Sequence, residues 1–149
     1  MYLLGVLVFI MLTIFIAFSS AVSLGTLIDL TSLLLILLIT IPVILLSGYG
    51  RDFAKAFKFT MVKGNETTLQ ELKRAQEAVA LAMKTIMYSG VFGTLLGFIV
   101  FLRNMNDPAS LGPSIMVSTI TILYAIILNI ILLPVKARLN GIIIAYLHE

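Results

Sequence analysis

Two stretches of this sequence place hydroxyls and glycines at helical spacing inside apolar surroundings. Residues 90–97 read GVFGTLLG, and residues 114–129 read SIMVSTITILYAIILN. Residues three and four apart share a helix face, so Gly90, Gly93, Thr94 and Gly97 form one stripe. Ser114, Ser118, Thr121, Ala125 and Asn129 form a second, and Thr119 lies off it. Oxygens in such stripes can line the path of a cation, here Thr94, Ser118 and Thr121. They can also serve packing alone. Gly93 and Gly97 have the GxxxG spacing that lets helix backbones approach in lipid, where association gains little from hydrophobicity. Gly90, Gly93, Gly97, Ser114, Ala125 and Asn129 are then helix-packing or partner-facing positions. A serine or threonine can satisfy its hydroxyl on its own i−4 carbonyl. Asn129 is the group that most needs an outside partner.

Other chemistries find no support. The chain has no cysteine and one histidine, His148. That excludes disulfides and thiolate sites and leaves no metal centre. No serine or threonine has a neighbouring His, Lys or carboxylate to activate it, so the chain does not read as an enzyme. No cofactor is expected beyond a transported ion. The few basic residues lack groove-reading geometry, so no nucleic acid is expected either.

Membrane helices must position these stripes. The chain is 60% hydrophobic and 11% charged, against about 25% charged in soluble domains. The fold class is all-α: a polytopic membrane protein with four transmembrane helices in a single membrane domain, 1–149. The spans are expected at about 2–18, 27–47, 86–102 and 114–135, near the length that crosses the hydrocarbon core. The second is taken to start near Leu27, with Asp29 at its outer edge. The first has no Lys or Arg before it and too long an apolar run for a signal peptide.

Charge sets the orientation. Arg51, Lys55, Lys58, Lys63, Lys73, Arg74 and Lys84 lie between the second and third spans, and Lys136 and Arg138 follow the fourth. Arg103 alone lies between the third and fourth. Basic residues in short loops stay in the cytoplasm, so both termini, the loop 48–85 and the tail 136–149 are expected there. Within the loop, GYGRDFAKAFKFT reads as an interfacial segment with rings at the headgroups and lysines toward anionic lipid. Gly64 and Asn65 mark a turn. Thr68 and Glu71 then have capping-box spacing. No breaker follows, so the third span extends into the cytoplasm as one long helix. Residues 103–113, RNMNDPASLGP, read as a tight hairpin.

No ionisable residue is expected at the centre of any span. Ion pathways need such a group, so it would come from a partner.

The block GVFGTLLGFIVFLRNMNDPASLGPSIMVSTITILYAIILNIILLPVKARL resembles the MotA/TolQ/ExbB proton-channel family, most of all its flagellar-stator (MotA) branch. Gly90, Gly93, Thr94, Gly97, Asn106, Asp107, Pro108, Gly112, Pro113, Thr121, Tyr124 and Pro134 carry the likeness. DLTSLLLILLITIP, from Asp29, is similar to the family's second span. The resemblance implies a pentameric homo-oligomer around a dimeric single-span partner of the MotB, ExbD or TolR type, in the bacterial inner membrane. Protons or sodium ions would load the partner's aspartate and drive rotation. Thr94 and Thr121 match hydroxyls that face that aspartate, and Pro134 matches a proline at the inner end of the fourth span. Two features depart from the pattern. The proline that motor members carry near Met87 is absent. The cytoplasmic loop is far shorter than the one with which the flagellar stator contacts its rotor. The alternative is a non-transporting scaffold assembled through small-residue packing.

Overall fold

A computed structural model of the chain describes residues 29–61 and 68–148, with Gly5, Leu7, Val8 and Met11 in helical backbone. The rest of the expected first span, and the Gly64–Asn65 turn, lie outside the described residues. Among the described residues the fold is all-α, with four helices: α1 Leu30–Leu46, α2 Gly50–Met61, α3 Leu69–Arg103 and α4 Pro108–His148. Two of them, α3 and α4, are long and apolar enough to cross a membrane; α1 and α2 would make a third span if the bent pair counts as one.

Each helix end has a local chemical cause. Asp29 is extended and caps α1, its carboxylate accepting from the Thr31 N–H at 3.1 Å. A short acidic side chain takes a free first-turn N–H more readily than it enters the helix. The helix therefore starts at Leu30, not near Leu27. At its other end Gly48 adopts φ +73°. Gly48 N–H donates to the Leu45 carbonyl at 3.0 Å and Tyr49 N–H to that of Ile44 at 3.2 Å. This is a Schellman close, and the positive φ requires glycine. The chain leaves it with α2 turned by 101° from α1.

The α2 rings do not simply face headgroups. Phe53 and Phe57 meet edge to face at 5.3 Å, and with Phe59 they pack on the buried core. Three polar contacts fix α2 and the residue before it on α3: Tyr49 to Glu77 at 2.9 Å, Arg74 to Asp52 at 3.1 Å and Lys55 to Glu71 at 2.9 Å. As α2 advances, its partners on α3 step back by about one turn each time. Core contact competes with the interface for the rings, and here the core takes them.

The capping box forms as read. Thr68 Oγ1 accepts from the Glu71 N–H at 3.3 Å and donates to the Glu71 carboxylate at 3.4 Å. α3 then runs unbroken for 35 residues, about 52 Å at the helical rise.

The turn to α4 is shorter than 103–113, spanning residues 104–107. Asp107 Oδ1 accepts from the Ala109 N–H at 3.2 Å, and Pro108 opens α4. Proline suits the first helical position because its missing N–H would have no partner there. Gly112 and Pro113 thus lie inside the helix. α4 continues through Pro134 and through most of the expected tail to His148.

Lys55 holds the Glu71 carboxyl below its usual range, and the Glu77 carboxylate raises the Tyr49 hydroxyl above its own. A depressed carboxyl stabilises the fold above the ordinary carboxylate range and loses that contribution as pH falls through its folded value. Both Lys55 and Glu71 are exposed, so the effect is small. Protection of the 50–61 amides, taken relative to the intrinsic exchange rate at each pH, should therefore fall on acidification in the native chain and much less so in Glu71→Gln. Thr68→Ala should destabilise the first turn of α3 by about 1 kcal/mol, read as roughly fivefold faster exchange at 69–72.

Candidate functional site

The two stripes face one another. A Cβ on Gly90 would collide with Ala125 Cβ, and one on Gly97 with Ser118 Oγ. At Gly93 a Cβ would lie 2.6 Å from Thr121 Cγ2 and 3.1 Å from Leu35 Cδ2. The three glycines form a seam along which α3 and α4 approach closer than any side chain allows. Gln76 Nε2 donates to Asn140 Oδ1 at 3.3 Å, so the two helices keep one register far below the glycines.

Most stripe hydroxyls are satisfied locally. Ser114 donates to the Ser110 carbonyl at 2.9 Å and Ser118 to that of Ser114 at 2.8 Å. Thr94 shares one proton between the Gly90 carbonyl at 2.8 Å and the Ser118 carbonyl of α4 at 3.1 Å. The second contact joins the two helices. Asn129 does find a partner on its own helix, donating to the Ala125 carbonyl at 2.9 Å. It also lines an open apolar groove of about 230 Å³ with Met83, Met87, Ile126, Ile130 and Leu133. Pro134 is exposed and lies within the unbroken helix.

Thr121 adds a contact on a third helix to its own local bond. It is 2% exposed. Its Oγ1 lies 2.9 Å from the Val117 carbonyl and 2.6 Å from Ser32 Oγ, across the bundle on α1. Ser32 Oγ in turn donates to Asp29 Oδ2 at 2.5 Å. The Asp29 N–H donates to Tyr124 Oη at 3.0 Å. One carboxylate, two hydroxyls and a phenol therefore meet where α1 begins, against the glycine seam. Of these groups Thr121 is level with Gly93, about 14 Å along α3 from Lys84 and about 15 Å from Arg103 at the helical rise. α1 runs antiparallel to α3, with Leu35 on Gly93 and Tyr49 on Glu77, so Asp29, six residues before Leu35, lies about 9 Å from the Gly93 level toward the end of α3 that carries Arg103.

Sequence reading assigned Ser32 no role. Its one available signal was the Asp29–Ser32 pair at i, i+3. Which hydroxyl of α4 Ser32 meets is a tertiary fact that no local pattern carries. Farther down α1, Thr40 is 4% exposed and its hydroxyl has no partner among the described residues.

A family model of the MotA/TolQ/ExbB proton channels matches residues 47–149. The chain belongs to this family. Motility protein A of Cereibacter sphaeroides is 35% identical over 97 residues, 62% of this chain and 36% of that protein. Motility protein A of Aquifex aeolicus is 51% identical over 52 residues, 34% of this chain and 20% of its own length. Chemotaxis protein PomA of Vibrio alginolyticus is 40% identical over 52 residues, 34% of this chain and 21% of its own length. The matched regions thus span about a third or less of these relatives. Within a membrane family of this kind, the exposed Phe92, Leu95, Phe98 and Ile99 of α3 are the faces expected to meet lipid or another helix.

The seam makes a direct prediction. Gly90→Val and Gly97→Val should each destabilise the α3–α4 hairpin by about 1–3 kcal/mol, the usual cost of overpacking. Gly112 has nothing within 4 Å of an added Cβ, so Gly112→Ala should be neutral or slightly stabilising. Thermal unfolding of the three purified variants in one detergent checks both.

Proposed function

We propose that this chain is the ring-forming subunit of an ion-driven motor or envelope-energising complex in the bacterial inner membrane. Five copies surround a dimer of single-span partners whose helix carries an aspartate. Passage of protons or sodium ions past Thr94, Ser118 and Thr121 turns the ring and does mechanical work. Both ends of the chain and the loop 48–85 face the cytoplasm. The energy source is the ion gradient, worth about 2.3 kcal/mol per charge per 100 mV, and no cofactor is used.

The observation that carries this reading is the α3–α4 hairpin itself. It holds a row of hydroxyls against a glycine seam, inside the segment matched by the family model. The low charge of the chain and the apolar exterior of α3 support membrane residence. The short connection between α1 and α3 supports a machine smaller than the flagellar stator.

A scaffold reading is favoured by one observation: Ser114, Ser118, Thr94 and Asn129 all bond within the hairpin. Packing alone would produce that pattern. Native mass spectrometry of the detergent-purified chain should show five copies, and co-expression with a single-span, aspartate-bearing partner should give a stable complex. Thr94→Val removes one hydrogen bond of about 1 kcal/mol. It should leave that complex assembled while abolishing ion-coupled work. A monomer with every such partner, or full work in Thr94→Val, would overturn the motor reading.

A further inference from the structure

We propose that the open groove between α3 and α4 seats one acyl chain of an anionic phospholipid, with Lys84 and Lys136 holding the lipid's phosphate. The proposal rests on reading the chain as a membrane subunit with the basic ends of its helices at the headgroups.

The shape of the groove selects a chain. Met83 and Met87 form one wall, and Ile126, Asn129, Ile130 and Leu133 form the other, around about 230 Å³. From Ile126 to Leu133 the groove runs about 10 Å at the helical rise. That volume over that length leaves a cross-section of roughly 23 Å², the width of one extended hydrocarbon chain. A helix with its side chains is about 10 Å across and would lie over such a slot rather than in it. Two thioethers in the wall can reshape around a mobile chain. Asn129, the one polar lining residue, directs its amide to the Ala125 carbonyl at 2.9 Å and to the Met87 sulfur at 3.9 Å. The surface left for a ligand is therefore apolar.

Charge at one end of the groove selects the headgroup. The pairs Met87–Asn129 and Gln76–Asn140 fix the antiparallel register of the two helices. By that register Lys84 lies level with Leu132, and Lys136 level with Ala80, about 6 Å apart along the axis. Lys84 follows Met83 directly, and Lys136 lies three residues beyond Leu133 on the same face. Helical side chains lean toward the N-terminus of their own helix. Lys84 thus leans away from the groove and Lys136 leans back toward it, so the two ammonium groups approach each other at its end. Lys84 is exposed and Lys136 half-buried, the arrangement of a long stem on apolar surface with its charge at the edge. Neither makes an ion pair among the described residues. α4 carries no Asp or Glu. The two carboxylates of α3 are engaged elsewhere, Glu71 by Lys55 and Glu77 by Tyr49. Two cations without a protein counter-ion, at the mouth of a chain-wide apolar slot, match a phosphate above an acyl chain. Basic pockets between membrane helices hold anionic lipid headgroups in this way.

The test is lipid retention on the detergent-purified full chain, read by native mass spectrometry. The probes are palmitoyl-oleoyl phosphatidylglycerol and palmitoyl-oleoyl phosphatidylcholine, which share their chains and differ in headgroup charge. The native chain should hold the first about thirtyfold more tightly, from about 1 kcal/mol for each lysine at the headgroup. The double variant Lys84→Gln, Lys136→Gln keeps both stems and should bind the two lipids equally. Ile130→Trp fills the groove and should weaken both lipids while the preference stays. Circular dichroism checks that each variant keeps its helicity. Equal binding of the two lipids by the native chain overturns the proposal. So does a preference that survives the double variant, or lipid binding that Ile130→Trp leaves unchanged. The same measurement on the complex co-expressed with a single-span partner should still find phosphatidylglycerol; a complex that retains none gives the groove to the partner's helix or to a second copy and overturns the proposal. A chain that stays monomeric yet prefers phosphatidylglycerol overturns the motor reading alone, and a ring of five without the preference overturns this inference alone.

Discussion

The close approach of α3 and α4 is the constraint on which the rest of the bundle depends. Helices in lipid gain little from burying apolar surface against each other, so contact distance and interhelical hydrogen bonds carry the association. Gly90, Gly93 and Gly97 remove the side chains that would hold the backbones apart, and Ala125, Thr121 and Ser118 fill the space. Thr94 then reaches the Ser118 carbonyl of the other helix. Gly93 does more than admit a neighbour on one side. The room it leaves takes both the Thr121 methyl and the Leu35 side chain. With its methyl on the glycine, Thr121 turns its hydroxyl to α1. The glycine seam therefore decides not only how close two helices lie but where the buried hydroxyl of the second one points.

That orientation separates two kinds of polar group. Ser89, Ser114 and Thr119 each donate to the carbonyl four residues back, at 2.7, 2.9 and 2.9 Å. Such bonds cost little and report little, because any helix offers them. The Asp29–Ser32–Thr121 row differs, since its members come from two helices and end on a carboxylate. A charged group beside apolar helices is costly unless bonded. Asp29 answers that with one backbone N–H and one hydroxyl, both from the first turn of the helix it caps. Capping thus explains how a carboxylate is held beside an apolar hairpin without a cationic partner: the free N–H groups of a helix start are its solvent.

Much of this was legible in the sequence, for physical reasons. The small-residue stripes are a matter of helical period, and the structure sets them face to face. Thr68 and Glu71 cap α3 because that chemistry is local. The absence of a breaker between Leu69 and Arg103 gave one long helix. Other features required the third dimension. Asp107 and Pro108 begin a helix rather than extend a loop, a reading open to sequence through N-cap and first-turn rules but masked by the nearby Gly112 and Pro113. Phe53 and Phe57 have the composition of an interfacial segment, yet α3 offers them a core. The level of Asp29 depends on where α1 docks along the hairpin, and Leu35 on Gly93 sets that, not any property of residues 29–32.

The long helices make the placement of Asp29 consequential. α3 carries the glycine seam at one end and the Glu77, Arg74 and Glu71 contacts to α2 at the other, without a break. α1 joins the same two regions by a second route, from Asp29 at the seam to the Gly48 turn that launches α2. A change at the seam that shifts α1 against α3 must therefore be absorbed either at the Schellman turn or in the three polar contacts. The turn is fixed by two backbone hydrogen bonds and a positive φ at glycine. The Lys55–Glu71 and Arg74–Asp52 contacts are made by exposed or half-exposed side chains, and pairs of that kind are weak and readily exchanged. The exposed ion pairs are thus the weakest part of that docking, and Ala56, Phe53, Phe57 and Phe59 hold α2 on the core beside them.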